Sequence, residues 1–227
     1  MKWEARAAEL LIVTAVVYLT KRYYSSATAE DLRWILLAVA QTTTVLSGIE
    51  FTWEQTMGYT SQDHLLVIAP ACAGINFFIV AWLTLLLTTA NARKRRARWL
   101  HAVVCLVPAL AATVLINAQR VNLILLGGGD HRTIGTLCFC TGLCVISGVS
   151  HAIAHHKLPS QHTLVSCIGA YFLVALVLPA LNGATRSPHF FDHSVHVLRL
   201  GGGVLAVAAA LLALLNRARR QGAPVTG

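Results

Sequence analysis

The chain has 227 residues, of which 56% are hydrophobic and only 12% are charged, and its mean hydropathy is +0.64. A soluble globule of this size needs more charge to coat its surface, so the composition excludes a soluble protein and predicts an integral membrane protein. The net charge of +9 does not indicate nucleic-acid binding, because the basic residues cluster at the ends of apolar runs, where anionic headgroups attract them.

Apolar runs long enough to cross a bilayer, at about 20 residues per crossing, recur along the chain. We predict an all-α, polytopic integral membrane protein with about seven transmembrane helices, forming a single membrane domain over residues 1–227. The first run could instead be a signal peptide, but the bulky, basic residues at the position of a small-residue cleavage site favour a helix. The predicted helices are Glu9–Tyr24, Leu32–Ile49, Leu65–Thr89, Trp99–Leu126, Ile134–Ala154, Thr163–Ala184 and Leu198–Asn216.

Positive charge in the short loops predicts how these helices are oriented. The strongest signal is the basic segment Asn91–Arg98, which we place in the cytoplasm. Counting from there puts the C-terminus inside and the N-terminus outside. The other basic residues placed inside include Lys21, Arg22 and Arg33, and the loops placed outside are Gly48–His64, Gly127–Thr133 and Thr185–Val197.

Three polar side chains converge on the outer leaflet in this topology. Cys72 lies about two turns, or roughly 10 Å, below the outer surface in the third helix. Arg120 lies near the outer end of the fourth helix, and His131 lies in the loop that follows. Alone, the cysteine could be an apolar filler, the arginine could snorkel to the interface and the histidine could belong to an ordinary polar loop. Their convergence favours a common site.

The sequence around these residues resembles the exosortase/archaeosortase family of integral-membrane cysteine transpeptidases. The segments that carry the resemblance lie within residues 65–135 and keep the family's order. They are Ala71-Cys72-Ala73-Gly74-Ile75, Asn117-Ala118-Gln119-Arg120-Val121 and His131-Arg132-Thr133-Ile134-Gly135, with Met57-Gly58-Tyr59 and Asn76-Phe77-Phe78 most similar to the exosortase K branch.

The resemblance implies a function and a role for each residue. Cys72 would be the nucleophile, Arg120 a cation that stabilises the transition state and His131 the third polar partner. The substrates would be exported proteins with a C-terminal motif, a hydrophobic helix and a basic tail, cleaved on the extracytoplasmic side of the bacterial inner membrane among its lipids. We also assign Asn117 to substrate binding.

The chemistry of these side chains is consistent with those roles. A thiol is mostly protonated at neutral pH, so a nearby guanidinium is needed to stabilise the thiolate, and its planar donors can also bind an oxyanion. A histidine can move protons to the leaving amine and from the incoming nucleophile. The expected reaction is acyl transfer through a thioester on Cys72, without a cofactor.

A second group of polar residues lies in the last predicted outer loop. His189, His193 and His196 would share one face if this loop were helical, a spacing that can bind zinc. The same residues could face a substrate or form an interfacial cap with the neighbouring aromatic rings. We assign His189 and His193 to substrate binding, and no residue to a metal.

Two other functions remain as alternatives. A small carrier or channel could use Arg120 and the outer histidines, but it would not need a thiol at Cys72. A haem-binding anchor would need paired histidines within helices. The sequence contains no Gly-x-Ser-x-Gly, His-Glu-x-x-His or phosphate-binding glycine loop, and its six cysteines do not form a disulfide framework.

Overall fold

The computed structural model describes most of the chain, in two compact units, Met1–Cys167 and Ile168–Gly227. The described residues are 2–63, 65–89, 95–127, 131–153, 160–188, 190–199 and 202–203. The elements in chain order are α1 (Lys2–Ser26), α2 (Arg33–Ser47), β1 (Phe51–Glu54), β2 (Gly58–Ser61), β3 (Val67–Ile68), a 3₁₀ turn (Pro70–Ala73), α3 (Ile75–Thr89), α4 (Arg95–Val104), α5 (Leu106–Leu125), α6 (His131–Ile153), α7 (Ser160–Phe172), a π-helical turn (Leu173–Val177), α8 (Leu178–Leu181) and a second 3₁₀ turn (Ala184–Arg186).

Three helical stretches within the described residues are long and apolar enough to cross a membrane. They coincide with the third, fourth and fifth predicted helices and cover Pro70–Thr88, Leu100–Leu125 and Thr133–Ser150. Their length and composition support the predicted membrane helices in this part of the chain. The sixth predicted helix contains a shorter apolar stretch, Ser166–Leu181, and most of the seventh lies outside the described residues.

The second of these spans is divided into α4 and α5 at Cys105. Pro108 lacks an N–H and its ring crowds the carbonyl of Val104, so the regular helical hydrogen bond cannot form there. Cys105 N still donates to His101 O at 2.9 Å, which keeps the two helices on one continuous path.

A three-stranded antiparallel sheet lies before the first of these spans, so the protein is mostly helical rather than all-α. Its order is β1-β2-β3, with Trp53 opposite Tyr59 and Tyr59 opposite Ile68. Aromatic and β-branched residues favour strands, and the Trp53 and Tyr59 rings pack with centroids 5.0 Å apart. The predicted helix Leu65–Thr89 therefore begins with a strand and a turn, and its α-helix starts only at Ile75.

The second predicted helix, Leu32–Ile49, needs correction. Its helix α2 has 15 residues and is about 22 Å long at 1.5 Å per residue, less than the roughly 30 Å of a bilayer's hydrocarbon core. At its first residue, the Arg33 guanidinium lies 4.8 Å from the centroid of the Trp53 ring. Arg33 was placed inside and the loop containing Trp53 outside, so the prediction that α2 separates them is wrong.

The predicted location of Lys21 is also contradicted. Its Nζ donates a hydrogen bond to Oδ1 of Asn76, in the first turn of α3. The topology placed Lys21 in the cytoplasm and the start of α3 outside. Since the two side chains touch, the end of α1 and the start of α3 lie on the same side.

Helix α5 occupies the centre of the first unit and packs against α2, α3 and α6. Its buried residues recur at helical spacing and include Ala109, Thr113 and Asn117. Helix α6 runs antiparallel to α5, because Gly135 lies against Arg120 and the later Gly142 lies against the earlier Ile116. Helix α3 does so too, because Gly74 before its start lies against Asn117, whereas Trp82 further along donates to Ala102 O before the start of α5. The start of α3, the end of α5 and the start of α6 therefore meet at one end of the bundle.

The second unit contains the π-helical turn and α8. The segment predicted as the loop Thr185–Val197 is helical over residues 190–199, so helical structure begins before the predicted start of the seventh helix at Leu198.

Candidate active site

The turn Pro70–Ala73, here called the Cys72 turn, carries the thiol to the end of the bundle. Pro70 begins the turn, where its fixed φ is suited to a helical start, and Cys72 N donates to Ala69 O at 2.7 Å. The turn ends at Gly74, whose φ of 69° lies in the left-handed region that favours glycine. The Cys72 side chain is partly buried, and its sulfur interacts with the Ala69 backbone.

Gly74 also lets α5 approach the Cys72 turn. A Cβ at position 74 would collide with the amide of Asn117 and lie 3.0 Å from Cγ2 of Thr113. Asn117 is buried, and its Nδ2 donates to Thr113 O at 2.8 Å, which fixes the amide against the turn. The structure therefore gives Asn117 a packing role beneath Cys72, while its predicted contact with substrate stays a prediction.

Arg120 lies one turn further along α5, on the same side as Asn117. Arg120 interacts electrostatically with Cys72 and Cys138, and Cys138 lines the same cavity as Arg120. Its Nε is buried and has no hydrogen-bond partner among the described residues. A buried donor without a partner costs free energy, and at functional sites it is available to a ligand.

A cavity of about 200 Å³ opens at this position. Arg120 and Asn117 line it from α5, Ala71 and Gly74 from the Cys72 turn, and Gly135 from α6. Its remaining lining residues are Ile75, Asn76, Phe77, Ile116, Cys138 and Phe139. Of the three residues expected to share a site, Arg120 lines this cavity, whereas Cys72 and His131 do not.

His131 is the first residue of α6 and its side chain is exposed. Gly135 follows one helical turn later on the same face. A Cβ at position 135 would lie 3.6 Å from Nε of Arg120 and 3.9 Å from its Cζ. These are ordinary van der Waals distances, so α6 lies directly against the guanidinium at Gly135, and the turn that starts at His131 lies at the same end of the bundle as Arg120.

The second group of histidines belongs to the other unit. His193 is exposed, and its Nε2 lies 3.1 Å from the carbonyl oxygen of Ala175. His189 lies outside the described residues. Among the described residues, no group of three His, Cys, Asp or Glu side chains is placed to hold a metal ion.

Sequence reasoning missed two residues of the site. Asn76 lines the cavity, and Lys21 of α1 donates to its amide oxygen. Asn76 was noted only as part of a branch similarity, and Lys21 was assigned to the opposite membrane face. The sequence did contain a signal for Asn76. It is a polar residue in the first turn of an apolar helix, directly after Gly74, and this position puts it at the same end of the bundle as Cys72.

The fold and the site define a class of protein: a helical integral membrane protein with a thiol, a buried arginine and a cavity at one end of its packed spans. The model of the transmembrane exosortase family matches residues 3–149, well over half of the chain. The chain therefore belongs to the transmembrane exosortase family, which confirms the resemblance. At family level, these proteins are membrane transpeptidases that act on exported proteins with C-terminal sorting signals. No curated protein and no solved structure matches the chain.

Proposed function

We propose that this protein is a membrane-embedded cysteine protease/transpeptidase that cleaves C-terminal sorting signals of exported proteins through a thioester on Cys72. The observation that carries this proposal is Arg120. Its guanidinium acts electrostatically on the Cys72 sulfur and keeps a buried Nε without a partner among the described residues, beside the cavity. A guanidinium in this position can stabilise both a thiolate and the oxyanion of a tetrahedral intermediate.

The proposed reaction has two acyl-transfer steps. His131 takes the proton from the Cys72 thiol, and the sulfur attacks the carbonyl carbon of the scissile peptide bond. The C–N bond breaks, the protonated imidazole gives its proton to the leaving amine, and the N-terminal part of the substrate stays on the sulfur as a thioester. An acceptor nucleophile or water then attacks the thioester, its proton passes to His131, and the thiolate is released beside Arg120.

The role of His131 in this scheme rests on its position at the start of α6. Its helix approaches Arg120 through Gly135, and the imidazole is exposed, where it can exchange protons with solvent. The substrate class follows from the position of Cys72 at the start of a spanning segment. A peptide bond next to a transmembrane anchor reaches this depth, whereas a freely soluble polypeptide does not. We place the reaction on the extracytoplasmic side of the bacterial inner membrane.

The test is to trap the thioester. The probe is an exported reporter protein fused to a C-terminal segment from the same genome that contains a short motif, a hydrophobic helix and an arginine cluster. Coexpression should yield a covalent reporter–enzyme adduct that hydroxylamine cleaves. The adduct should be absent in Cys72→Ala and present in Cys105→Ala and Cys167→Ala, two other buried cysteines. A processed reporter in Cys72→Ala at the wild-type rate would exclude the proposed nucleophile.

A further inference from the structure

The free edge of β3 leads directly into the Cys72 turn. β3 is an outer strand of the sheet, and only one residue, Ala69, separates it from Pro70. A strand edge with unpaired N–H and C=O groups can accept a further extended segment by backbone hydrogen bonding. Whatever pairs with this edge is held a few residues from the thiol.

The register decides which backbone groups are free. Ser61 N donates to Leu66 O at 2.9 Å, so the Ser61–Leu66 pair carries ladder hydrogen bonds between β2 and β3. Hydrogen-bonded and non-hydrogen-bonded pairs alternate in an antiparallel ladder. Thr60 and Val67, the next pair, are therefore non-hydrogen-bonded with each other, and the N–H and C=O of Val67 point away from β2.

The neighbouring backbone groups are already used. The Ala69 carbonyl accepts from Cys72 N, and the Ala69 backbone also interacts with the Cys72 sulfur. Among the described residues, Val67 makes no backbone–backbone hydrogen bond outside the sheet, and it is only partly buried. Backbone groups left unpaired near a bilayer are costly, so this edge is suited to a partner that supplies an extended backbone.

We propose that the edge of β3 at Val67 is the docking strand for the substrate, which pairs in extended conformation with both backbone groups of Val67 next to its scissile bond. This inference rests on the proposed function, since the occupant is the sorting signal of an exported protein. We choose this occupant because β3 continues directly into the Cys72 turn, so a segment paired with β3 lies next to the nucleophile. The opposite sheet edge, on β1, does not continue into the turn.

Backbone pairing also explains how one site can act on different exported proteins. Main-chain hydrogen bonds hold any extended segment irrespective of its side chains, and the pockets beside the strand select among sequences. The cavity beside Arg120 is the described space next to the Cys72 turn that can receive such a side chain.

The test removes the outward N–H of Val67. Val67→Pro deletes the outward N–H, and proline is tolerated on an edge strand. As a second variant, replacement of Val67 by the matching α-hydroxy acid turns the Leu66–Val67 amide into an ester and keeps the side chain. Because the ester also weakens the Leu66 carbonyl that accepts from Ser61 N, the alkylation rate of Cys72 reports whether the turn stays intact. The control Val67→Ala keeps the N–H and shortens the side chain.

The readouts are the kcat/KM for cleavage of the exported reporter and the rate at which iodoacetamide alkylates Cys72. The ester should lower kcat/KM by about three- to ten-fold, the range expected for one hydrogen bond, and Val67→Pro by more than ten-fold. Alkylation should be unchanged in the ester, and Val67→Ala, which keeps the N–H, should lose less cleavage than the ester. If Val67→Pro does not fold, the ester variant alone tests the docking proposal.

Wild-type cleavage by the ester would overturn the docking proposal. A change of oligomeric state in the ester with unchanged cleavage would also overturn it, because the occupant would then be a second copy of the chain. Failure of the proposed function would look different, since Cys72→Ala would then process the reporter as well.

Discussion

Gly74 and Asn117 occupy adjoining space with no room for another atom: a Cβ on Gly74 would lie 2.7 Å from Cγ of Asn117. This contact fixes the height of the Cys72 turn relative to α5, and hence the separation of the thiol from Arg120. The proposed chemistry depends on that separation, because the electrostatic effect of a guanidinium on a thiolate falls with distance.

Gly74→Ala should reduce reporter cleavage by at least ten-fold while leaving the protein in the membrane. The added Cβ meets the Asn117 amide, and the φ of 69° is unfavourable for alanine. Gly48→Ala is the matched control, because Gly48 has a φ of 75° but nothing within 4 Å of its Cβ position. Cleavage is measured with the reporter in membranes. Equal losses in the two variants would show that the strained φ alone, and not the Asn117 contact, matters.

Arg120→Met should slow the alkylation of Cys72 by iodoacetamide by about ten-fold or more, because the thiolate loses its neighbouring cation. Arg120→Lys should restore much of the alkylation rate but little of the cleavage, since an ammonium keeps the charge and loses the planar donors. Arg22→Met, which removes an exposed guanidinium, serves as the control for net charge. If Arg120→Lys lost alkylation and cleavage to the same extent, the planar donors of Arg120 would have no separate role in stabilising the oxyanion.

Gly142→Ala and Gly148→Ala should have opposite effects on stability, although both lie on α6. A Cβ at position 142 would be 2.6 Å from Cζ of Phe77 and 3.1 Å from Cγ1 of Ile116, whereas nothing lies within 4 Å of one at position 148. Overpacking should cost about 1–3 kcal/mol at position 142, and the better helix former should contribute up to about 1 kcal/mol at position 148. Thermal unfolding in detergent measures both. Destabilisation by both variants to the same extent would contradict the packing of α6 on α3.

Lys21 and Asn76 should be coupled energetically. A hydrogen bond from a charged donor contributes about 1.5–3 kcal/mol, so a double-mutant cycle of Lys21→Met and Asn76→Ala should show a coupling of that order in unfolding free energy. The same single variants should lower reporter cleavage, because Asn76 lines the cavity. Strict additivity of the two changes would mean that α1 does not support the site through this contact.

Cysteine labelling should place the end of α1 and the loop between β1 and β2 on the same membrane face. The chain for this experiment has its six native cysteines replaced by alanine and carries Ser26→Cys or Met57→Cys, both at exposed positions. A membrane-impermeant maleimide should label both from the same side, because Lys21 contacts Asn76 and Arg33 contacts Trp53. Labelling of the two positions from opposite sides would show that α2 does cross the membrane.

Much of the site could be predicted from the order of the motifs. Apolar runs around Cys72 and Arg120, alternating in direction, were enough to predict that both residues lie at one end of neighbouring helices. The structure agrees, since Gly74, two residues after Cys72, lies against Asn117, three residues before Arg120. The roles of Cys72, Arg120 and His131 stay predictions that the experiments above test.

The sequence by itself determined the membrane class, three of the spans and the family, because hydropathy and motif spacing are local properties of the chain. Charge counting failed for Lys21 and Arg33, since each basic group has a partner from a distant segment that a loop count does not include. Only the tertiary structure decided that residues before Pro70 form a sheet and that Asn117 packs beneath Gly74. Short strands and close backbone approaches are selected by contacts between segments far apart in sequence, so no local pattern specifies them.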